Sequence, residues 1–338
     1  MMPTVGFSKS PSKPARFYEH LQAKAPEVMA HVNVARFEPL EVDDFKLAHT
    51  DRYVDGFFAG DEKVASSNGL RWSPEFAETV RYTNGSLVWA VHSAIAYPER
   101  IAMSPTSGFH HARPSGGSGF CTFSGQVISA LWVYRNHGKV GAWIDLDGHQ
   151  GNSIEDSRAW ISDLDLAIPR DCNLNPSGAH ADYLVSLTKG LAAIGKKVLA
   201  GEVHYVCFAH GADSHEWDDL GGQVTTGEWL TASRLVYESI RSWSQQLGRP
   251  VPVVLALFGG YRDDSPESVL DLHVADLAIA LRILAGAEVT YEPTVVEPKV
   301  KAWRKWLDQN DEGDEAWTRR ERARKHRKHR KHERRGMG

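Results

Sequence analysis

Three short runs constrain this chain most: Val140-Gly-Ala-Trp-Ile-Asp, Val203-His-Tyr-Val-Cys-Phe-Ala and Val251-Pro-Val-Val-Leu-Ala-Leu-Phe, each flanked by Gly or Pro. A run that is apolar on both faces reads as a strand covered from both sides. Between these runs, apolar residues recur at spacings of three and four around 126–135, 181–193, 228–246 and 266–284, which predicts helices there. The alternation predicts an α/β fold: a three-layer, open, mostly parallel sheet with helices on both faces. In such sheets ligands bind beyond the carboxyl ends of the strands, so chemistry is to be sought in the residues directly after each run.

The 338 residues, 42% hydrophobic, suffice for one substantial core. The expected organisation is one domain over 1–290 and a helical or disordered extension over 291–338. Cys121, Cys172 and Cys207 are too scattered for a disulfide framework and form no C-x-x-C pair. A reducing compartment fits that usage. Neither a leader pattern at the amino terminus nor a long apolar stretch is visible, so a soluble, cytoplasmic protein is expected. The net charge of −4 hides an asymmetry, because residues 318–338 carry eleven Lys and Arg against two Glu. Such a segment is expected to contact nucleic acid or another polyanion, or to serve as a solvated tail.

Four strings carry candidate chemistry. After the first strand comes Asp145-Leu146-Asp147-Gly148-His149-Gln150-Gly151-Asn152. On extended backbone side chains alternate, so Asp145, Asp147 and His149 point one way, and Asp147 and His149 can grip one metal ion. After the second strand, Gly211-Ala212-Asp213-Ser214-His215-Glu216-Trp217-Asp218-Asp219 offers a further carboxylate. Asp147, His149 and Asp218 would make a three-ligand site with a fourth position open, the mark of a catalytic centre. The third string is Gly108-Phe109-His110-His111-Ala112, followed by Gly119-Phe120-Cys121. The fourth is Phe258-Gly259-Gly260-Tyr261, where glycines let backbone approach closely and a phenol can project into a pocket.

Together, over roughly residues 40–285, these strings resemble the histone deacetylase family, which includes acetylpolyamine amidohydrolases and acetoin-utilisation proteins. The resemblance implies an arginase/deacetylase-like fold and zinc-dependent hydrolysis of an N-acyl, above all N-acetyl, amide such as acyl-lysine. It assigns the catalytic roles to His110, His111, Tyr261 and Asp145, and one Zn²⁺ per chain to Asp147, His149 and Asp218. Asp145 would hydrogen-bond His110 and help hold K⁺ or another monovalent cation beneath the zinc. Phe120, Gly119 and Gly260 would line the substrate channel. The string His149-Gln150-Gly151-Asn152 is closest to that of class IV members. Zinc chemistry explains these residue types: the metal acidifies water and polarises the carbonyl, the histidines move protons, and the tyrosine donates to the oxyanion.

The chain also departs from the family pattern. Asn152 stands where many members have an aspartate behind the second histidine, and Asp219 replaces a proline. Asn175 stands where a second channel aromatic is expected, and Ser10-Pro11-Ser12-Lys13-Pro14 keeps a trace of an amino-terminal motif. An arginase-like two-manganese enzyme would need a carboxylate at Gly151. An acyl-amine-binding pseudoenzyme would have little reason to keep three ligands, both histidines and the tyrosine. Acetylpolyamine or another small metabolite is an alternative substrate to acyl-lysine.

Overall fold

A computed structural model of the protein describes residues 10–298. Five strands, β1 (Ile101–Ser104), β2 (Gly141–Asp145), β3 (Asn173–Leu174), β4 (Tyr205–His210) and β5 (Val253–Leu257), form one sheet in the order β1-β5-β4-β2-β3, all neighbours parallel. Period-two alternation divides the strand side chains between two cores. Ile144, Val206, Phe208, Val253 and Leu255 pack with the helices Lys13–Lys24, His180–Leu199, Thr226–Leu247 and Pro266–Leu284. Trp143, Tyr205, Cys207, Val254 and Ala256 face the helices Asp51–Ala59, Pro74–Ala96 and Gly125–His137. The chain thus has the expected three-layer α/β architecture.

Local signals set the boundaries of the helices. Thr225 and Glu228 close a reciprocal capping box on Thr226–Leu247, and Gly248 ends it in the left-handed region at φ 63°. The expected helix at 126–135 runs over Gly125–His137, with Ser124 accepting the Val127 amide at its start. The sequence pattern misses helices Lys13–Lys24, Asp51–Ala59 and Pro74–Ala96 and strands β1 and β3, among other short elements. Helix Pro74–Ala96 buries polar as well as apolar residues, Asn84 and Ser86 among them, so its apolar stripe is blurred. Strand β1 is a short edge, and β3 has two residues. The compact unit runs to Val296; most of the expected extension over 291–338, including the basic stretch 318–338, lies outside the described residues. Among those described, no helix is long and apolar enough to cross a membrane.

Candidate metal centre

β2, β4 and β5 lie side by side, so the loops after them share one edge of the sheet. Asp145 ends β2. Its Oδ1 accepts the Asp147 amide at 3.2 Å, and Asp147 Oδ1 accepts the His149 amide at 2.9 Å. These turns place alternate side chains on one side, while Leu146 enters the core. After β4, Gly211 continues extended and Ala212–Ser214 forms a single 3₁₀ turn. That turn brings in Asp213. His149 Nδ1 lies 2.9 Å from Asp213 Oδ2 and 3.2 Å from Asp147 Oδ1. The ligand atoms of Asp147, His149 and Asp213 all fall within 4.8 Å of one another.

Asp218, expected as the third ligand, lies outside that group of ligand atoms. Both of its oxygens accept backbone amides, Oδ2 from Tyr261 at 2.7 Å and Oδ1 from Leu220 at 2.9 Å. The 3₁₀ turn at Ala212–Ser214 is what brings Asp213 into that group. Asp219 accepts the Asp263 amide at 2.9 Å.

The donors suit a divalent cation. Two carboxylates and one imidazole, with the side chains of Asp147 and Asp213 at 2% and 0% exposure, are a set that Zn²⁺ takes. Burial, and then the charge of Asp147, push the Asp213 carboxyl up to about 8. Burial acts the same way on Asp147, but His110 and His149 overcome it and hold that carboxyl well below the usual range. Two adjacent buried carboxylates need a proton or a cation between them. Their outer oxygens are fixed by backbone, with the Gly259 amide donating to Asp147 Oδ2 at 2.7 Å and the Gly148 amide to Asp213 Oδ1 at 2.9 Å. A β-carbon on Gly259 or Gly211 would overlap the Asp213 carboxylate, so glycine is required at both positions.

The histidine pair stands beside this cluster, with ring centroids 4.1 Å apart. His110 Nδ1–H donates to Asp145 at 2.9 Å, and His111 Nδ1–H donates to Asn152 Oδ1 at 2.8 Å. Burial lowers His110, but Asp147 and Asp145 outweigh it and raise the imidazole to about 9. Burial and then His110 lower His111. Tyr261 faces His149 at 6.1 Å and Phe120 at 6.0 Å between ring centroids. Burial pushes its phenol up, so it stays protonated. Gly119 and Phe120 both take left-handed backbone, at φ 50° and 63°, a costly conformation for Phe that presents its ring to the cleft. A β-carbon on Gly119 would meet the His111 ring at 2.8 Å. Gly260, at φ 129°, admits the turn that presents Tyr261. Asn175 accepts the Gly151 amide at 2.9 Å and so braces the loop after β2.

Sequence comparison bears on this arrangement. A family model for the histone deacetylase domain matches residues 8–160, the stretch that holds His110, His111, Asp145, Asp147 and His149. The chain is similar to a chloroplastic histone deacetylase 10 of Oryza sativa subsp. japonica, 27% identical over 78% of this chain and 68% of that protein. Over residues 8–160 the chain is similar to the histone deacetylase family. Two further relatives are histone deacetylase B of Dictyostelium discoideum, 25% identical over 56% of the chain, and a chloroplastic histone deacetylase 14 of Arabidopsis thaliana, 31% identical over 40%. The chain spans 52% and 35% of the length of those two relatives.

Two residues of this site were not selected from sequence. Asp213 had a signal in its company of glycines, since Gly148, Gly211, Gly221 and Gly259 all crowd it. The other is Lys13, at the start of helix Lys13–Lys24 and 5% exposed. Its Nζ donates to the carbonyls of Phe258 at 2.5 Å and Gly259 at 3.0 Å. Burial pushes its ammonium down to about 8, while Asp213, Asp147 and Asp218 pull the other way.

Proposed function

We propose that this chain is a zinc-dependent hydrolase that cleaves an N-acyl amide, N-acetyl above others, on an amine such as a protein lysine. The observation that carries the reading is the meeting of Asp147, His149 and Asp213 with the His110–His111 pair and the Tyr261 ring at one sheet edge. Bound by that triad, Zn²⁺ would supply Lewis acidity, lowering the pKa of water towards about 7 and polarising the amide carbonyl.

The chain's own residues supply the rest. Hydrolysis must take a proton from water and deliver one to the departing amine. Two adjacent imidazoles, one backed by Asp145 and the other by Asn152, are arranged for both transfers. Each Nδ1 is committed to its partner, which leaves Nε2 on both rings for the reacting atoms. Tyr261 keeps its proton and donates it in a hydrogen bond to the developing oxyanion. Phe120 packs along the acyl-bearing stem of the substrate. Three unpaired, buried cysteines support a reducing compartment such as the cytoplasm.

One observation favours a second substrate class. Asn175, turned onto Gly151, puts a polar side chain where the second channel aromatic was expected, which suits a small acylated amine such as an acetylpolyamine. The test is fluorophore release from acetyl-lysine and longer acyl-lysine peptides by the zinc-loaded protein, run beside acetylated diamines, a chelator and His110→Ala. Turnover abolished by chelator and variant supports the reading, and the substrate ranking chooses between the two classes. One zinc bound per chain with no turnover on any of these amides would overturn it.

A further inference from the structure

A lysine in the first turn of a helix opposes the helix dipole, and a buried ammonium is costly unless it is compensated. Lys13 has both disadvantages, so its compensation shows what it does. Its two acceptors are the carbonyls of Phe258 and Gly259, residues that lead into Tyr261. Carboxylates also hold the same four-residue strap: Asp147 accepts the Gly259 amide and Asp218 the Tyr261 amide. Backbone bonds add to these, from the Phe258 amide to the His210 carbonyl and from the Ala212 amide to the Gly259 carbonyl, each at 3.2 Å, and Lys13 supplies the one cationic attachment among these contacts. It also lines one cavity together with Gly260 and Tyr261.

We infer that Lys13 is a positioning residue, an internal cation that tethers the strap 258–261 so that the Tyr261 phenol is aimed at the reaction centre, and that it tempers the negative field of the acid cluster. This rests on the proposed hydrolase reading for its catalytic consequence, though not for its structural one. The two roles have opposite effects on measurement. Removing the tether lets the strap move, which harms turnover through Tyr261. Removing the charge leaves Asp213, Asp147 and Asp218 less neutralised, which strengthens their hold on a dication. A residue that mattered for packing alone would weaken metal binding and turnover together.

The experiment compares full-length wild type with Lys13→Met and Lys13→Gln, each also in a Tyr261→Phe background. Three readouts are taken: steady-state kinetics, Zn²⁺ affinity by competition with a chromophoric chelator, and amide exchange of peptides covering 258–261. The expected result for the single variants is a kcat lower by at least about tenfold with KM within about twofold. Zinc affinity should be equal or up to about tenfold tighter, with faster exchange in the strap. In the Tyr261→Phe background the kcat cost should shrink to below about twofold, because there is no phenol left to aim. Equal costs in both backgrounds, or zinc affinity weaker in step with turnover, would overturn the inference. So would a chain that folds with neither substitution, since Lys13 would then serve the fold alone. If wild-type protein binds zinc but hydrolyses none of the amides, the functional reading fails, and exchange with zinc affinity still decides the tether.

Discussion

The loops after β2 and β4 end neighbouring parallel strands and both present buried aspartates, yet they reach the centre by different routes. After β2, each carboxylate accepts the amide two residues on, so the backbone stays extended and Asp145, Asp147 and His149 keep the strand's alternation. After β4, one 3₁₀ turn at Ala212–Ser214 intervenes. It places Asp213, 0% exposed, among the ligand atoms and leaves Asp218, 4% exposed, to hold the Tyr261 amide. Two buried carboxylates of one loop thereby differ in their surroundings: Asp213 meets Asp147 and His149, and Asp218 meets the Tyr261 and Leu220 amides. Burial marks a carboxylate as important, and its hydrogen-bond partners show for what.

The largest expected effect tests that division. Asp213→Ala leaves two donors and should weaken zinc binding by more than about a hundredfold, since even loss of a residue that only orients a ligand costs about 10- to 100-fold. Turnover should fall with it. Asp218→Ala should keep zinc and lose about 10- to 100-fold in kcat, through a displaced Tyr261 strap. Chelator competition beside kinetics separates the two. An Asp218 variant that loses the metal while the Asp213 variant keeps it would reverse the assignment.

This contrast also measures how much the sequence could tell. Strands β2, β4 and β5 were legible because both faces of each are covered, which leaves near-continuous apolar runs. The pair Asp147 and His149 was legible because extended backbone preserves period two. Asp213 was not, because a short 3₁₀ turn has no hydrophobic signature and Asp218 and Asp219 stood nearby as rivals. Lys13 stood in the Ser10–Pro14 string, but its contact was not legible, because its partners, Phe258 and Gly259, are some 245 residues away in the chain. Asn84 and Ser86, buried inside helix Pro74–Ala96, hid that element in the same way.

A second, smaller effect sharpens the comparison at the strap itself. Tyr261→Phe keeps the ring against His149 and Phe120 and removes the hydroxyl alone. Loss of one oxyanion donor costs about 10² to 10³ in kcat, with zinc affinity unchanged. If the Phe variant turned over like wild type, then Asp218 and Lys13 would be bracing a strap with no catalytic purpose, and the contrast between the two aspartates would lose its functional meaning.

The smallest effect concerns a third loop, which carries the histidine pair and is braced in part by a neutral ring. His49 is buried, its Nδ1–H donating to the Arg113 carbonyl at 2.9 Å and its Nε2 accepting the Ser124 amide at 2.8 Å. Those bonds brace both ends of the segment containing Phe120, and they require a neutral ring. Burial pushes the imidazole down to about 4, against the pull of the Arg113 and Pro114 carbonyls. The sign follows from linkage: the unfolded chain takes up the proton near pH 6.5 and the folded chain only near 4, so this stability is complete above 6.5 and is lost as pH falls towards 4. At pH 5 the loss amounts to about 2 kcal/mol. Urea midpoints at pH 7 and 5 should therefore diverge in wild type by about that amount more than in His49→Gln, which keeps a polar side chain but has no proton to gain. Equal pH dependence in the two proteins would mean that the neutral His49 ring does not hold this loop.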